Sequence, residues 1–439
     1  MTQISEQQLS SSWKLDLRSL AIFRIGLALT IIFNLATKFT QIATSYSDLG
    51  ILPRTELIDR IIPPEYWSIN LITGSVLGQQ LIFIGAFIAA GLLLIGYRTK
   101  LATILCWIVL LSLQNRNPDL AVFSDSCLRL IAFWAIFLPL GGSYSCDLAL
   151  STSSNIPPQR VLSAGTVGFI TQVCTLHLLF CRQLFADSEM SINFWLNVLV
   201  IGLIFLLWHN HGLRIVAIAY LILAQFFFGE FLSMAILSVA WLAFIPSLIW
   251  DVLARQVYSK EIEGLRINYD KDCGFCKKVV YLLRTFLILP NVPLLEAQGN
   301  PSVYADMEKY NSWVIESDRG KRYFKWYGIA YVVGISPVLF WLEPVLRIKP
   351  LMRLGNKIYE AIANNRRFMG NLTKPLLFRP QKIQPSSVSN IIAGFCLFLA
   401  IIGNLNLFFD YSDRIDNQYD RHIEQIVNIL RLDLPTTKN

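Results

Sequence analysis

Charge is what this chain has least of. Asp, Glu, Lys and Arg supply 15% of the 439 residues, against about 25% in soluble domains. With 54% apolar residues and a mean hydropathy of +0.48, the composition excludes both a disordered chain and an ordinary soluble globule. Histidine is nearly missing: there are four, and none lies between Arg255 and Lys382. That scarcity weighs against zinc, which takes about four ligands, and no metal or other cofactor is expected. Internal repeats and low-complexity segments are lacking too. No small-residue cleavage site follows the first apolar run, so residues 20–38 read as an uncleaved span and not as a signal peptide. The net charge of +8 fits membrane orientation, so the expected partner is the lipid bilayer and not nucleic acid.

What is abundant is apolar helix. Runs at 20–38, 76–97, 101–114, 125–140, 161–182, 195–208, 213–228 and 232–250 precede a polar stretch, and a further run covers 391–409. Several are shorter than the about 20 residues of a perpendicular span. The expected fold is a polytopic α-helical membrane bundle of about eight N-terminal spans plus one C-terminal span, with a smaller domain inserted before the last. Asp125 and Arg129 stand four apart and predict an intramembrane or interfacial ion pair. His177, mid-span, is expected to bond a helix carbonyl or Gln172. His209 and His211, two apart, are poorly spaced for helical metal ligation.

One stretch names a chemistry. Cys273-Gly274-Phe275-Cys276 follows a strand-like run, Leu265 to Tyr269, with alternating apolar residues. Behind it Val279, Val280, Leu282, Leu283, Phe286 and Leu287 recur at helical spacing, with Asp272 as the expected N-cap. Two cysteines at a strand-to-helix junction can meet on one face, and the helix dipole stabilises a thiolate there. Lys277 and Lys278 favour that charge; Asp270 and Asp272 oppose it. Cys273 is the expected attacker and Cys276 the resolving thiol. A zinc site is the main rival, but no other cysteine lies in this domain to complete it.

Tyr269-Asp270-Lys271-Asp272-Cys273-Gly274-Phe275-Cys276 resembles the DCC thiol-disulfide oxidoreductase family, whose Asp-x-x-Cys-x-x-Cys signature falls on Asp270, Cys273 and Cys276. The stretch from Ile358 to Gly370 is similar to that family's closing Tyr-x-x-x-Ala-x-Asn-Arg helix. The resemblance implies a thioredoxin-like α/β domain over 260–385, with a protein or small-molecule disulfide as substrate and a reducing thiol as donor. Asp270 would accept or relay the proton of Cys276. One departure is Gly328-Ile329-Ala330, where the family carries Ser-Asp-Ala. Residues 15–250 resemble the HTTM domain shared with vitamin K-dependent γ-carboxylase. That resemblance rests on Leu20-Ala21-Ile22-Phe23-Arg24-Ile25-Gly26, the Tyr46 to Arg54 loop, Arg116-Asn117-Pro118, Phe137-Leu138-Pro139-Leu140-Gly141 and Ser145-Cys146-Asp147. Carboxylation needs a deprotonable lysine, whereas Arg182-Gln183 stands in the fifth span, and arginine stays protonated. Carboxylation is therefore not expected.

A C-terminal helix at 389–409 and a polar tail at 410–439 complete the domain scheme. Residues 251–388 carry 21 Lys+Arg against 12 Asp+Glu, and the tail carries four against six. The positive-inside rule then puts the redox domain in the cytoplasm, as part of a multi-pass integral membrane protein. The expected function is a membrane-anchored protein-disulfide reductase. The alternative makes the helical region a transporter or lipid-linked enzyme, with the CxxC domain as its redox sensor.

Overall fold

The computed structural model describes residues 14–61, 67–153, 158–184, 196–202, 210–225, 231–257, 262, 264–289 and 292–409. They divide into two compact units. Residues 1–143, 157–247 and 382–439 form one; 144–156 and 248–381 form the other.

The helical unit opens on β1 (Leu15–Asp16), which pairs antiparallel with β2 (Arg160–Val161). Asp16 then caps α1 (Leu17–Phe39), accepting from Arg18 N at 2.8 Å. After an irregular stretch come α2 (Val76–Ile95), α3 (Thr99–Arg116) and α4 (Phe123–Ala135). α2 ends where Gly96 takes φ 70°, the left-handed conformation that a helix C-terminus favours and only glycine adopts freely. α5 (Ala164–Leu184), α6 (His211–Gln225) and α7 (Phe231–Leu242) follow, and α8 (Ser247–Val257) begins the second unit's long segment. One continuous core joins α1 to α7 and includes Phe23, Leu27, Phe83, Trp134, Phe169 and Trp241.

The second unit is an α/β layer structure. Its sheet has the order β4-β3-β5-β6. The strands are β3 (Arg266–Tyr269), β4 (Leu294–Glu296), β5 (Val314–Glu316) and β6 (Arg322–Tyr323). β3 runs parallel to β4 and antiparallel to β5. α9 (Gly274–Phe286) makes the crossover from β3 to β4, and α10 (Pro301–Tyr310) leads to β5. Alternation sorts the strand residues between two cores: Ile267, Tyr269 and Ile315 pack with Val280 and Val332, while Val314 packs with Val303 and Met307. α11 (Lys325–Ile335), α12 (Lys349–Asn364) and α13 (Arg366–Leu372) complete the unit. A helical turn, Cys146–Ala149, belongs to it as well and packs on α9. The final helix, α14 (Ser387–Phe409), returns to the helical unit and packs on α5.

The expected bundle of about eight plus one spans with an inserted thioredoxin-like domain does not fit this architecture. Among the described residues two helices are long and apolar enough to cross a membrane, α1 and α2, or three if the bent pair α7–α8 is one span. The sheets are small. The physical reason lies in helix length. At about 1.5 Å per residue, a hydrocarbon core of about 30 Å takes about 20 apolar residues. α4 has 13, α6 has 15 and α7 has 12. Pro246 marks the break between α7 and α8, where the chain bends by 74°. α3 ends in buried Gln114, Asn115 and Arg116 instead of continuing apolar. Of the expected 195–208 span, residues 195 and 203–208 lie outside the described residues, as do His209 and the tail 410–439; the side chains of Arg182 and Gln183 are likewise not described.

Candidate functional site

Cys273 and Cys276 are joined as a disulfide, their Cα atoms 5.2 Å apart, where β3 hands over to α9. The expected N-cap was Asp272; the observed one is Cys273, one residue later. Its sulfur accepts from the Cys276 backbone N–H at 3.2 Å. The sulfur thus occupies the position where a capping oxygen normally sits, facing an unpaired amide and the positive end of the helix dipole. Cys276 is buried and Cys273 half-buried. The more accessible sulfur is therefore also the one that the helix end favours as an anion.

Asp270 organises the loop in front of the pair. Its Oδ1 accepts from Asp272 N at 3.1 Å and from Gln298 Nε2 at 2.8 Å; its Oδ2 pairs with Arg366 Nη1 at 3.2 Å. Gln298 Oε1 in turn accepts from Lys271 N at 3.1 Å. Arg366 also donates to Asn311 at 2.6 Å. The start of α13 is thereby tied to the CxxC loop across 96 residues of chain. Tyr359, on α12, anchors the same region to β5: its hydroxyl accepts from Trp313 N at 3.1 Å and contacts Ser312 Oγ at 3.2 Å. The signature stretch and the closing-helix stretch, far apart in sequence, meet here. Arg366 and Gln298 were missed as site residues. The Asn365-Arg366 pair in the closing stretch was the available signal for the first, and nothing in the sequence marks the second.

The two lysines after the motif hold the end of the unit. Lys278 Nζ donates to Thr373 O at 2.7 Å, and Lys277 Nζ lies 5.7 Å from the Phe378 ring. At the end of β3, burial pushes the Tyr269 phenol up to about 12. Gly328 and Ala330 are buried on α11, and a Cβ at Gly328 would come 2.9 Å from Ile315. That segment packs on the sheet. No family model, curated protein or solved structure matches this chain.

The helical unit gathers its quoted motifs in pairs. Arg24 Nη1 donates to Leu140 O at 3.0 Å, joining the first motif to the Phe137–Gly141 stretch. Arg116 donates to Leu52 O at 2.9 Å, Asn117 to Ser45 O at 2.9 Å, and Arg54 bridges Asp48 at 2.7 Å. Asp125 was expected to pair with Arg129. Its oxygens take Asn34 Nδ2 at 2.9 Å and Lys38 Nζ at 2.8 Å. Gln172 accepts from Trp134 at 3.3 Å; His177 bonds Asn197 at 3.2 Å and receives Trp241 Nε1 on Nδ1 at 3.3 Å. With Nδ1 as acceptor, the neutral ring carries its proton on Nε2. Among the described residues no three His, Cys, Asp or Glu side chains gather as metal ligands.

Proposed function

We propose that the chain is a membrane-anchored thiol-disulfide oxidoreductase, related to the DCC family over its α/β unit and to the HTTM domain over its helical unit. The observation that supports it is the position of the Cys273–Cys276 bond at the start of α9, with Cys273 accessible and Cys276 buried. In the reduced protein the Cys273 thiolate attacks a substrate disulfide, forming a mixed disulfide and expelling one substrate thiolate. The Cys276 thiolate then attacks Cys273 Sγ, releasing the second substrate thiol and closing the Cys273–Cys276 bond. Two electrons and two protons pass from the pair to the substrate, and a reducing dithiol returns them. Asp270 acts as a positioning residue, since its carboxylate is engaged by Asp272, Gln298 and Arg366.

Two helices long and apolar enough to span a membrane support the anchoring. The basic excess of residues 251–388 supports a multi-pass chain with its CxxC on the cytoplasmic side, where the dithiol is the populated form and net reduction the favoured direction. The purified full chain in detergent should reduce insulin disulfides with dithiothreitol as donor. Cys273→Ser and Cys276→Ser should each abolish turnover; wild-type rates in either variant would defeat the proposal. A membrane-impermeant maleimide applied to intact cells should leave Cys273 unlabelled; its labelling would place the site outside.

A further inference from the structure

The last third of the α/β unit presents a surface that its own core does not cover. α12 turns Gly355, Asn356 and Tyr359 inward. Gly355 packs so closely on the Trp326 ring that a methyl group would clash, and Asn356 accepts from Trp326 N at 3.3 Å. The opposite side carries Leu354 and Ile358, 53% and 47% exposed, and α13 adds Phe368 and Leu372, 62% and 67% exposed. Just upstream Trp341 is 60% exposed, and its Nε1 donates to Val338 O at 3.0 Å, so the bare ring carries no unmet polar group.

Charge of one sign accompanies this apolar surface. Residues 338–379 hold eight Lys and Arg against two Glu and no Asp. Both acids are already paired, Glu343 with Arg347 at 2.6 Å and Glu360 with Lys325 at 2.6 Å. Arg353, Lys357, Arg367 and Lys374 are exposed. A second copy of the chain seated on this face would set cations against cations. An anionic bilayer surface offers the complement: phosphates for the cations, and an acyl boundary for the apolar side chains and the tryptophan.

We propose that the outer side of α12 and α13 is a docking face for an anionic lipid surface, with Leu354, Ile358, Phe368 and Leu372 entering the headgroup boundary and the neighbouring Lys and Arg engaging lipid phosphates. It does not depend on the cysteine chemistry and can fail separately from it.

The test compares the full chain in nanodiscs of phosphatidylcholine alone with nanodiscs of a phosphatidylcholine–phosphatidylglycerol mixture. The readout is hydrogen–deuterium exchange over residues 349–372, with β3 and α9 as internal controls. Exchange should be slower in the anionic discs, by roughly fivefold for each cation engaged, and high salt should reverse it. Arg353→Gln with Lys357→Gln, and separately Leu354→Ser with Ile358→Ser, should return it toward the phosphatidylcholine value. The wild-type comparison needs no variant to fold. Equal exchange in the two lipids would overturn the proposal. So would slow exchange already present in lipid-free detergent, whether dependent on protein concentration, as for a second copy, or independent of it.

Discussion

Removing Arg366 tests whether Asp270 positions the CxxC loop or moves a proton. The Asp270–Arg366 pair is 3.2 Å long and partly exposed. Pairs of that kind contribute about 1 kcal/mol at most, so Arg366→Ala should slow insulin reduction about fivefold. Asp270→Ala removes three acceptor interactions, from Asp272 N, Gln298 and Arg366. At about 1 kcal/mol each, less the freedom the loop regains, the loss is about 2 kcal/mol, or about thirtyfold. The double variant should be no slower than Asp270→Ala, since both act through one latch. Asp270→Asn keeps an acceptor oxygen and should recover most of the rate. A proton relay predicts the reverse pattern: Asn as inactive as Ala, and Arg366→Ala close to wild type. Either of those results would refute positioning. The measurement is the turnover rate across a pH series, because a relay would also remove one limb of the profile.

The Asp125–Lys38 pair, its carboxylate buried and its ammonium partly exposed, supplies a stability prediction. Asp125→Ala leaves the Lys38 ammonium without its carboxylate at 2.8 Å, and should cost about 2 kcal/mol in a thermal melt in detergent, whereas Lys38→Met with Asp125→Leu should recover part of it. The Asp48–Arg54 bridge supplies a pH prediction. The Arg54 hydrogen bond holds the Asp48 carboxyl below its ordinary value, so its contribution is complete above the unfolded pKa of about 4 and is lost as pH falls through the lower folded value. Hydrogen exchange of the 46–54 loop, measured at stepped acid pH, should accelerate below pH about 4 in the wild type and be insensitive there in Asp48→Asn.

Local patterns were legible where a residue's partners lie close in sequence. Alternation in Leu265, Ile267 and Tyr269 located β3, and the spacing of Val280, Leu283 and Leu287 located α9. The cap was misplaced by one because propensity favours an Asp oxygen, whereas this chain puts the Cys273 sulfur there. Asp125 shows the opposite limit. The four-residue spacing pointed to Arg129, and nothing local signalled that Lys38, 87 positions away, also reaches the carboxylate. The Arg366 latch is of the same kind, fixed by tertiary packing across 96 positions. Apolar composition revealed a membrane-like chain and overcounted its spans. Composition does not report where a helix stops, and breaks such as Pro246 and the buried polar end of α3 divide the runs into pieces shorter than a bilayer.

Trapping tests the redox reading most directly. Full-length Cys276→Ser protein, reduced and then exposed to a disulfide substrate, should accumulate a mixed disulfide through Cys273, visible by mass spectrometry and released by dithiothreitol. Cys273→Ser should accumulate far less, because the buried Cys276 cannot be reached first. A trapped species on Cys276 alone would reverse attacker and resolver, and no adduct in either variant would contradict thiol-disulfide exchange at this site.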